Sequence, residues 1–303
     1  MQTISAMSKT LVIGSTVADI IINVEELPSR TMSVNAIGST MSAGGCAFNC
    51  AYALKLLGAD FDLFSPVGTG IYGSFVAEKL KEFGIESICP RPTEENGSCT
   101  CLVDKSGERT FISVHGAEYK FRKEWFDALD ASVYDSVYLC GIEIEEDTGV
   151  NIIEFLERNP QLTVYFAPGP RLMSLAAETM ERMFKLAPAL HLNEQEICEY
   201  TGKDSYKDAA KALFEKTGNL IAVTLGEKGC YAYDNGEEIY VPGVPAKQID
   251  TIGAGDGHIG AIIAGLSKGK DLEETLRTAN AYASAIVECK GALLGSLPAG
   301  LEI

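Results

Sequence analysis

The sequence predicts an α/β protein in which a doubly wound, mainly parallel sheet carries helices on both faces and a small second β-sheet projects from it. Two observations predict the main sheet. Short apolar runs recur along the chain, several with no polar alternation at all, as strands buried on both faces require. Helical patterns separate them, the rhythm that packs helices over a parallel sheet. A third observation predicts the small sheet, because two β-leaning stretches do not fit that rhythm.

In chain order, TLVI at 10–13 reads as the first buried strand, and the polar stretch 30–42 as the first of the two misfits. Residues 46–57 read as a helix, 62–65 as a strand and 74–83 as a helix. Residues 97–103 and 109–115 then alternate around Asp104-Lys105-Ser106-Gly107, a hairpin by its turn chemistry. Strands at 136–140, 162–167, 189–192 and 219–225 follow, separated by helices at 150–157, 174–184 and 205–217. The last third carries two helical stripes, Ile259, Ile262, Ile263 and Leu266, then Leu272, Leu276, Ala279, Ala283 and Ile286. No repeat, low-complexity tract or linker intervenes, so residues 1–303 read as one domain, with 30–43 and 97–117 supplying the small sheet. Those two stretches read equally as a lid over a site or as a plain edge hairpin.

The 303 residues hold 25 Lys plus Arg against 42 Asp plus Glu, a formal charge of −17. Duplex nucleic acid and anionic membranes are met by clustered basic side chains that displace counterions, and this balance argues against both. A composition of 46% hydrophobic and 22% charged residues suits an ordinary globular core. No apolar run reaches the ~18 residues of a membrane span. The start MQTISAMSKTLVIG lacks a charged n-region followed by an apolar h-region and a cleavage site, so a cytoplasmic protein is expected. Nine cysteines, an odd number without a C-x-x-C pair, read mostly as reduced core residues. Cys99 and Cys101 point to one face of their strand, but the local sequence offers no two further metal ligands.

The sharpest motif is Asp250-Thr251-Ile252-Gly253-Ala254-Gly255-Asp256-Gly257-His258, which opens an amphipathic helix. Gly253, Ala254 and Gly255 put small residues and free N–H groups at a helix N-terminus, where phosphate oxygens are favoured. Asp256 on the first turn would repel a ground-state anion, so its useful role is to take a proton from a hydroxyl that attacks phosphorus. A tight turn with a dipole-paired Asp is the plainer alternative. Gly68-Thr69-Gly70-Ile71-Tyr72-Gly73 competes as a dinucleotide fingerprint and would predict a dehydrogenase. Against it, the motif follows the second strand, Pro66 interrupts that strand's end, and no strand ending in an acidic residue follows about twenty positions on.

Asn193-Glu194-Gln195-Glu196 places polar groups at a strand's carboxyl end, where open α/β sheets bind ligands. There Glu196 could hold magnesium, directly or through water, and Asn193 could touch phosphate, while a helix capping box explains the same pair. Thr224-Leu225-Gly226-Glu227-Lys228-Gly229 follows another buried strand and suits a ligand's close approach or a hairpin. Gly44-Gly45-Cys46-Ala47-Phe48-Asn49 opens a helix and could present donors to a polyol, or be an ordinary glycine-rich N-terminus. Asp19 reads as an acceptor for sugar hydroxyls or as a turn residue. His115, His191 and His258 stand in different segments without a Ser or Cys arranged for a triad.

In this order, GGCAFN, NEQE, TLGEKG and DTIGAGDGH resemble the ribokinase-like, or PfkB, carbohydrate kinases, and the likeness runs from about Lys9 to the end. GGCAFN, NGSCTCLVDKSGERTF and the histidine after Gly257 look most like a bacterial subgroup of uncharacterised sugar kinases. The resemblance implies a doubly wound domain with a small β-sheet lid, and ATP-dependent, magnesium-dependent phosphorylation of a hydroxymethyl group on a sugar. It makes Asp256 the general base and the N–H groups of Gly253, Ala254 and Gly255 the anion hole. Asn193 and Glu196 would orient magnesium and phosphate. Thr224, Gly226 and Gly229 would form the nucleotide loop, with Asn280 bordering the adenine pocket, and Asp19, Gly44, Gly45 and Asn49 would contact the acceptor. Arg171 falls where some members use an arginine near the transferred phosphate. In some relatives a monovalent cation, potassium, is held beside the anion hole partly by backbone oxygens, and Asp250, Ile252, Gly291 and Ser296 occupy the similar places.

Three departures bear on the acceptor. Gly68 to Ile71 lacks the family's usual acidic residue, His258 replaces a commonly aromatic position, and Glu118 stands where an Asn often follows the lid. A nucleoside kinase of the same fold and a non-catalytic sugar or nucleotide sensor are the rival readings, and the family also admits a homodimer through the lid.

Overall fold

The structure is a computed structural model that describes residues 8–301; most of the leader reading above, which rests on residues 1–7, lies outside the described residues, as do 302–303. The chain opens with β1 (Lys9–Ile13) and continues through β2 (Val17–Val24), β3 (Ala36–Gly44), α1 (Cys46–Leu56), β4 (Asp60–Phe64) and α2 (Gly70–Glu82). The hairpin β5 (Ser98–Val103) and β6 (Arg109–Val114) leads to α3 (Lys123–Asp127), β7 (Ser136–Cys140), α4 (Gly141–Glu145) and α5 (Gly149–Arg158). Then come β8 (Thr163–Ala167), α6 (Ala177–Lys185), β9 (Ala189–Asn193), α7 (Glu194–Thr201) and α8 (Tyr206–Thr217). The chain closes with β10 (Ile221–Thr224), β11 (Gly229–Asp234), β12 (Glu237–Pro242), α9 (Ala254–Ser267) and α10 (Leu272–Val287).

Eight strands form the large sheet in the order β12-β11-β10-β9-β8-β7-β1-β4. The six from β4 to β10 pair in parallel, and β11 and β12 add an antiparallel edge. All five residues of β7 are buried, which is why it reads as an unbroken apolar run. One core lies under α1, α2, α9 and α10, and a second under α3, α5, α6 and α8, so the sheet is covered on both faces. The chain leaves β1 for β4 on one side and later returns to β7 on the other. That reversal, at the carboxyl ends of β1 and β7, is the kind of place beside which open α/β sheets bind ligands.

The small sheet has the order β3-β2-β5-β6 and draws on three segments where the sequence reading assigned two. Strand β2 was missed because only Gly14, Ser15 and Thr16 separate it from β1, so VADIIINV reads as turn and tail of the first strand. Asp19 therefore sits within a strand, paired with Ser42 on one side and Cys99 on the other. Residues 30–35 are not strand, and α2, α6 and α9 differ from expectation at their first turns. In α6 the chain first makes a 3-10 turn over Gly169–Met173 that closes at Ser174, so the α-helix starts only at Ala177.

The β5–β6 hairpin is tied to the body at both ends. At its root the buried Glu118 accepts from Gly97 N at 2.8 Å and from Gly116 N at 3.0 Å, so one carboxylate gathers both ends of the hairpin. Burial raises the Glu118 carboxyl above the usual range, and these backbone donors pull it back. His115 meets Glu146 at 2.5 Å. At the far end Arg109 Nη2 donates to Asp250 Oδ1 at 2.9 Å across 141 residues of sequence. The glycine-rich loop 68–73 does not line the large cavity described below: Gly68 N donates to Asn96 Oδ1 at 2.5 Å and Thr69 bridges to Glu95, so the chain's own segment 94–96 takes up the loop's backbone donors.

Candidate active site

A cavity of about 1200 Å³ runs along the carboxyl ends of β7 to β10 and under the start of α9. It is lined by Arg171, Asn193, Glu196, Thr224, Gly226, Gly229, Ala254, Gly255, Asp256 and Asn280, so ten of the sequence-derived residues meet in one space. Gly253 caps α9 in the left-handed region at φ 76°, and no side chain caps this end. Ala254 N turns back to Thr251 O at 3.3 Å, a long contact, and Ala254 and Gly255 line the cavity at the positive end of the helix dipole.

Asp256 stands on that first turn, where burial pushes its carboxyl up and hydrogen bonds from Asn49 and Cys46 oppose the push. Asn49 Nδ2 donates to Asp256 Oδ2 at 2.9 Å, across 207 residues of sequence, while Asn49 Oδ1 is buried without a partner. The orphaned oxygen lies in the side chain that already orients Asp256, so a hydroxyl between them would find an acceptor and a base together. Gly45 caps α1, the helix that carries Asn49. Next to it, Gly44 has no side chain because Asp19 fills the space: a Cβ there would lie 2.0 Å from Asp19 Oδ2. Burial pushes the Asp19 carboxyl up to about 7.

On the opposite wall Asn193 and Glu196 complete the capping box, with Glu196 N donating to Asn193 Oδ1 at 2.8 Å and Asn193 N to Glu196 Oε2 at 3.0 Å. The capping box of the sequence reading is thus present, and the capped pair also lines the cavity. One Glu196 oxygen caps the helix and the other is left to the cavity, a donor set that suits magnesium, which keeps several waters and is bound mainly by phosphate oxygens. Among the described residues no group of three His, Cys, Asp or Glu forms a protein-only metal site. Arg171 reaches the cavity from the 3-10 turn and pairs with Glu145 at 2.8 Å.

Asn280 and the histidines form a chain that sequence did not disclose. Asn280 Nδ2 donates to Val241 O and Pro242 O, both at 3.1 Å, which turns its Oδ1 toward His258 Nε2 at 3.1 Å. His258 Nδ1 then faces His191 Nε2 at 2.9 Å, and both rings are buried. Burial holds His258 down at about 4 and His191 well below its ordinary value, so both are neutral at pH 7 and act as ordered hydrogen-bond links. Their contact ties α9 to β9 and to the wall beside Asn280.

Sequence reasoning also missed Glu143. It is fully buried, accepts from Ser15 N and Ser15 Oγ at 2.9 Å each and from Cys140 Sγ at 2.8 Å, and its charge is felt at Asp256. A signal was present: Glu143 follows the carboxyl end of a buried strand, the same placement that singled out Asn193.

A family model of the pfkB family carbohydrate kinases matches residues 7–299. The sugar kinase YegV of Escherichia coli K12, described as uncharacterised, is 29% identical over 292 residues, spanning 95% of this chain and 91% of that protein. Among solved structures, the ribokinase of Thermotoga maritima superposes with a TM-score of 0.81 at 26% identity and 94% coverage of both chains. The nucleoside kinase of Methanocaldococcus jannaschii superposes with a TM-score of 0.78 at 26% identity, over 94% of this chain and 93% of that one. No helix among the described residues is long and apolar enough to cross a membrane. A match that runs from residue 7 to residue 299 takes in both sheets and the whole cavity, and the chain belongs to the pfkB family of carbohydrate kinases, phosphotransferases whose acceptor is an alcohol group.

Proposed function

We propose that the protein transfers the γ-phosphate of ATP to a primary hydroxyl of a small sugar or sugar derivative, as a cytoplasmic enzyme. The observation that carries this reading is the Asn49–Asp256 contact at 2.9 Å, which sets a carboxylate at the head of a helix N-terminus against a side chain with an unpartnered acceptor. Asp256 takes the hydroxyl proton, and the first-turn N–H groups of Gly253, Ala254 and Gly255 meet the charge on the transferring group. Asn193, Thr224, Gly226, Gly229 and Asn280 hold the nucleotide, and Arg171 stands by the phosphates. Magnesium, held by the phosphates, water and Glu196, supplies charge neutralisation when bound. Asp19, Gly44, Gly45 and Asn49 take the acceptor, and the small sheet acts as a lid that keeps water from competing for the phosphoryl group.

A homodimer through the lid is supported by its outward face. Met41, Ile20, Thr100 and Ile112 form one row across the four strands, opposite the face of Asp19, and Met41, Ile112 and Val114 are exposed.

An ADP-release assay over hexoses, pentoses, keto-deoxy acids and nucleosides tests the reading. Turnover confined to sugars with a free primary hydroxyl is the expected result. Turnover confined to nucleosides replaces it with the rival kinase, and ligand binding without transfer across the panel replaces it with a sensor. Acceptor affinity has a further signature, because Asp19 accepts hydrogen bonds from sugar hydroxyls on both oxygens and more strongly as a carboxylate than as the protonated acid. With its carboxyl raised to about 7, acceptor KM falls as pH rises from about 6 to about 8. Asp19→Asn flattens that dependence, and an unchanged pH profile in the variant would remove Asp19 from the acceptor site.

A further inference from the structure

Asp250 ends the polar segment before the anion hole, and hydrogen bonds engage both oxygens of its carboxylate. Oδ1 accepts from Ile252 N at 3.0 Å and from Arg109 Nη2 at 2.9 Å, and Oδ2 accepts from Gly291 N at 3.1 Å. The side chain is 9% exposed. A monovalent cation at this place needs several oxygen ligands turned inward and a negative field to hold it. Asp250 instead spends both oxygens on three N–H donors, and one donor is a guanidinium that already carries the positive charge. Gly291 offers the site its N–H, and no hydrogen bond joins Ser296 to it among the described residues. A second cation would sit beside a like charge. As placed, the Asp250 carboxylate with its guanidinium partner and the Gly291 N–H do not offer the negative, oxygen-lined place that the cation implied by the resemblance needs.

The charge comes from the small sheet. Arg109 opens β6, shares a face with Cys101 and Cys99 by strand alternation, and lies at the end of the hairpin opposite the Glu118 root. Its Nε is buried without a partner, so the pair with Asp250 is its anchorage to the body. Asp250 in turn orients Ile252 N, one residue before Gly253, and Gly291 N, next to Ala292, whose side chain packs on Gly253. Pulling the guanidinium away would leave a buried carboxylate short of its counter-charge at the entrance of the anion hole.

We infer that Arg109 is a positioning residue, which delivers from the lid the positive charge that a monovalent cation would otherwise supply at Asp250. The loop 250–253 takes its working shape when the hairpin is down, and the enzyme needs no potassium. This inference rests on the kinase reading above.

The test uses the full chain in buffers of equal ionic strength, with tetramethylammonium, sodium or potassium as the monovalent cation. Wild-type kcat, affinity for ADP by titration, and Tm are expected to be the same in all three. Arg109→Met is expected to lose roughly 10- to 100-fold in kcat and to weaken ADP binding. Potassium, but not tetramethylammonium, is expected to restore part of both and to raise the variant's Tm. Arg109→Lys keeps the charge and is expected to stay close to wild type. A wild type whose ADP affinity or Tm rises specifically with potassium overturns the inference. So does an Arg109→Met chain that matches wild type, or one whose loss potassium leaves untouched, which would make Arg109 a mere strut. If no acceptor is phosphorylated the kinase reading fails, yet the ADP and Tm comparisons across cations still decide Arg109. Should Arg109→Met not fold, the wild-type comparison and Arg109→Lys decide it.

Discussion

Asp256→Asn is expected to lower kcat by about 10²- to 10⁴-fold while nucleotide affinity holds or improves, the span usually assigned to a positioned general base. The side chain keeps its shape, and Asn49 Nδ2 can still donate to an oxygen at the Oδ2 position, now 2.9 Å away. What disappears is the capacity to take a proton. The charge that opposes the phosphates disappears with it, so nucleotide binding has no reason to weaken. Burial holds the Asp256 carboxyl above its ordinary value, against the Asn49 and Cys46 hydrogen bonds, which brings a carboxylate closer to the proton affinity a base needs near neutral pH. Coupled ADP release with the best acceptor gives kcat, and titration with a non-hydrolysable ATP analogue gives affinity. Turnover within about threefold of wild type would remove Asp256 from proton transfer, since even a weakly acting base contributes more than that. Loss of analogue binding would show that the substitution disturbs the cavity.

The parts of this site that could be read from sequence are the parts built from neighbours in the chain. Gly253 to Asp256 announce a helix N-terminus, and Asn193 with Glu196 announces a capping box, because the donors and acceptors lie within four residues of one another. The main sheet was legible for a related reason: burial on both faces of β7 or β1 leaves an apolar run with no alternation. Strand β2 was not legible, since it is half-buried, carries Asp19 and Asn23 among its isoleucines, and follows β1 after three residues. The links that complete the site join residues far apart in sequence. Ser15 to Glu143, His191 to His258, Asn49 to Asp256 and Arg109 to Asp250 are separated by 128, 67, 207 and 141 positions. One chain without its fold carries no signal for such pairs. Even the glycine motif at 68–73 shows the limit, because a matching spacing served contacts with residues 94–96, which lie more than twenty positions away.

Gly253→Ala is expected to cost about 10²- to 10³-fold in kcat, the loss that follows removal of an oxyanion-hole donor. Two independent constraints meet at this position. Its φ of 76° is a left-handed conformation that alanine adopts with strain of about 1–3 kcal/mol. A Cβ would also lie 2.4 Å from Ala292 Cβ and 2.8 Å from Ala292 Cα, so the contact is with backbone as well as with a rigid methyl group. Ala292 cannot retreat freely, because Gly291 N is bound to Asp250 Oδ2 at 3.1 Å and Asp250 is held in turn by Arg109. The new methyl group therefore moves the other side, the N-cap of α9, and with it the donors of Ala254 and Gly255. Those donors act through geometry: a row of N–H groups displaced by a few tenths of an ångström still binds a ground-state phosphate through water but no longer matches the transferring group. The expected pattern is a fall in kcat with little change in ATP KM, and a Tm lowered by only a few degrees, since the helix beyond its first turn packs against α1 and α10 as before. Measured kcat, KM and Tm on the variant separate the possibilities. A proportional loss of stability and activity would mean that the fold, not the anion hole, depends on Gly253, and full activity would mean that the first-turn donors are not the groups that meet the transferring phosphate.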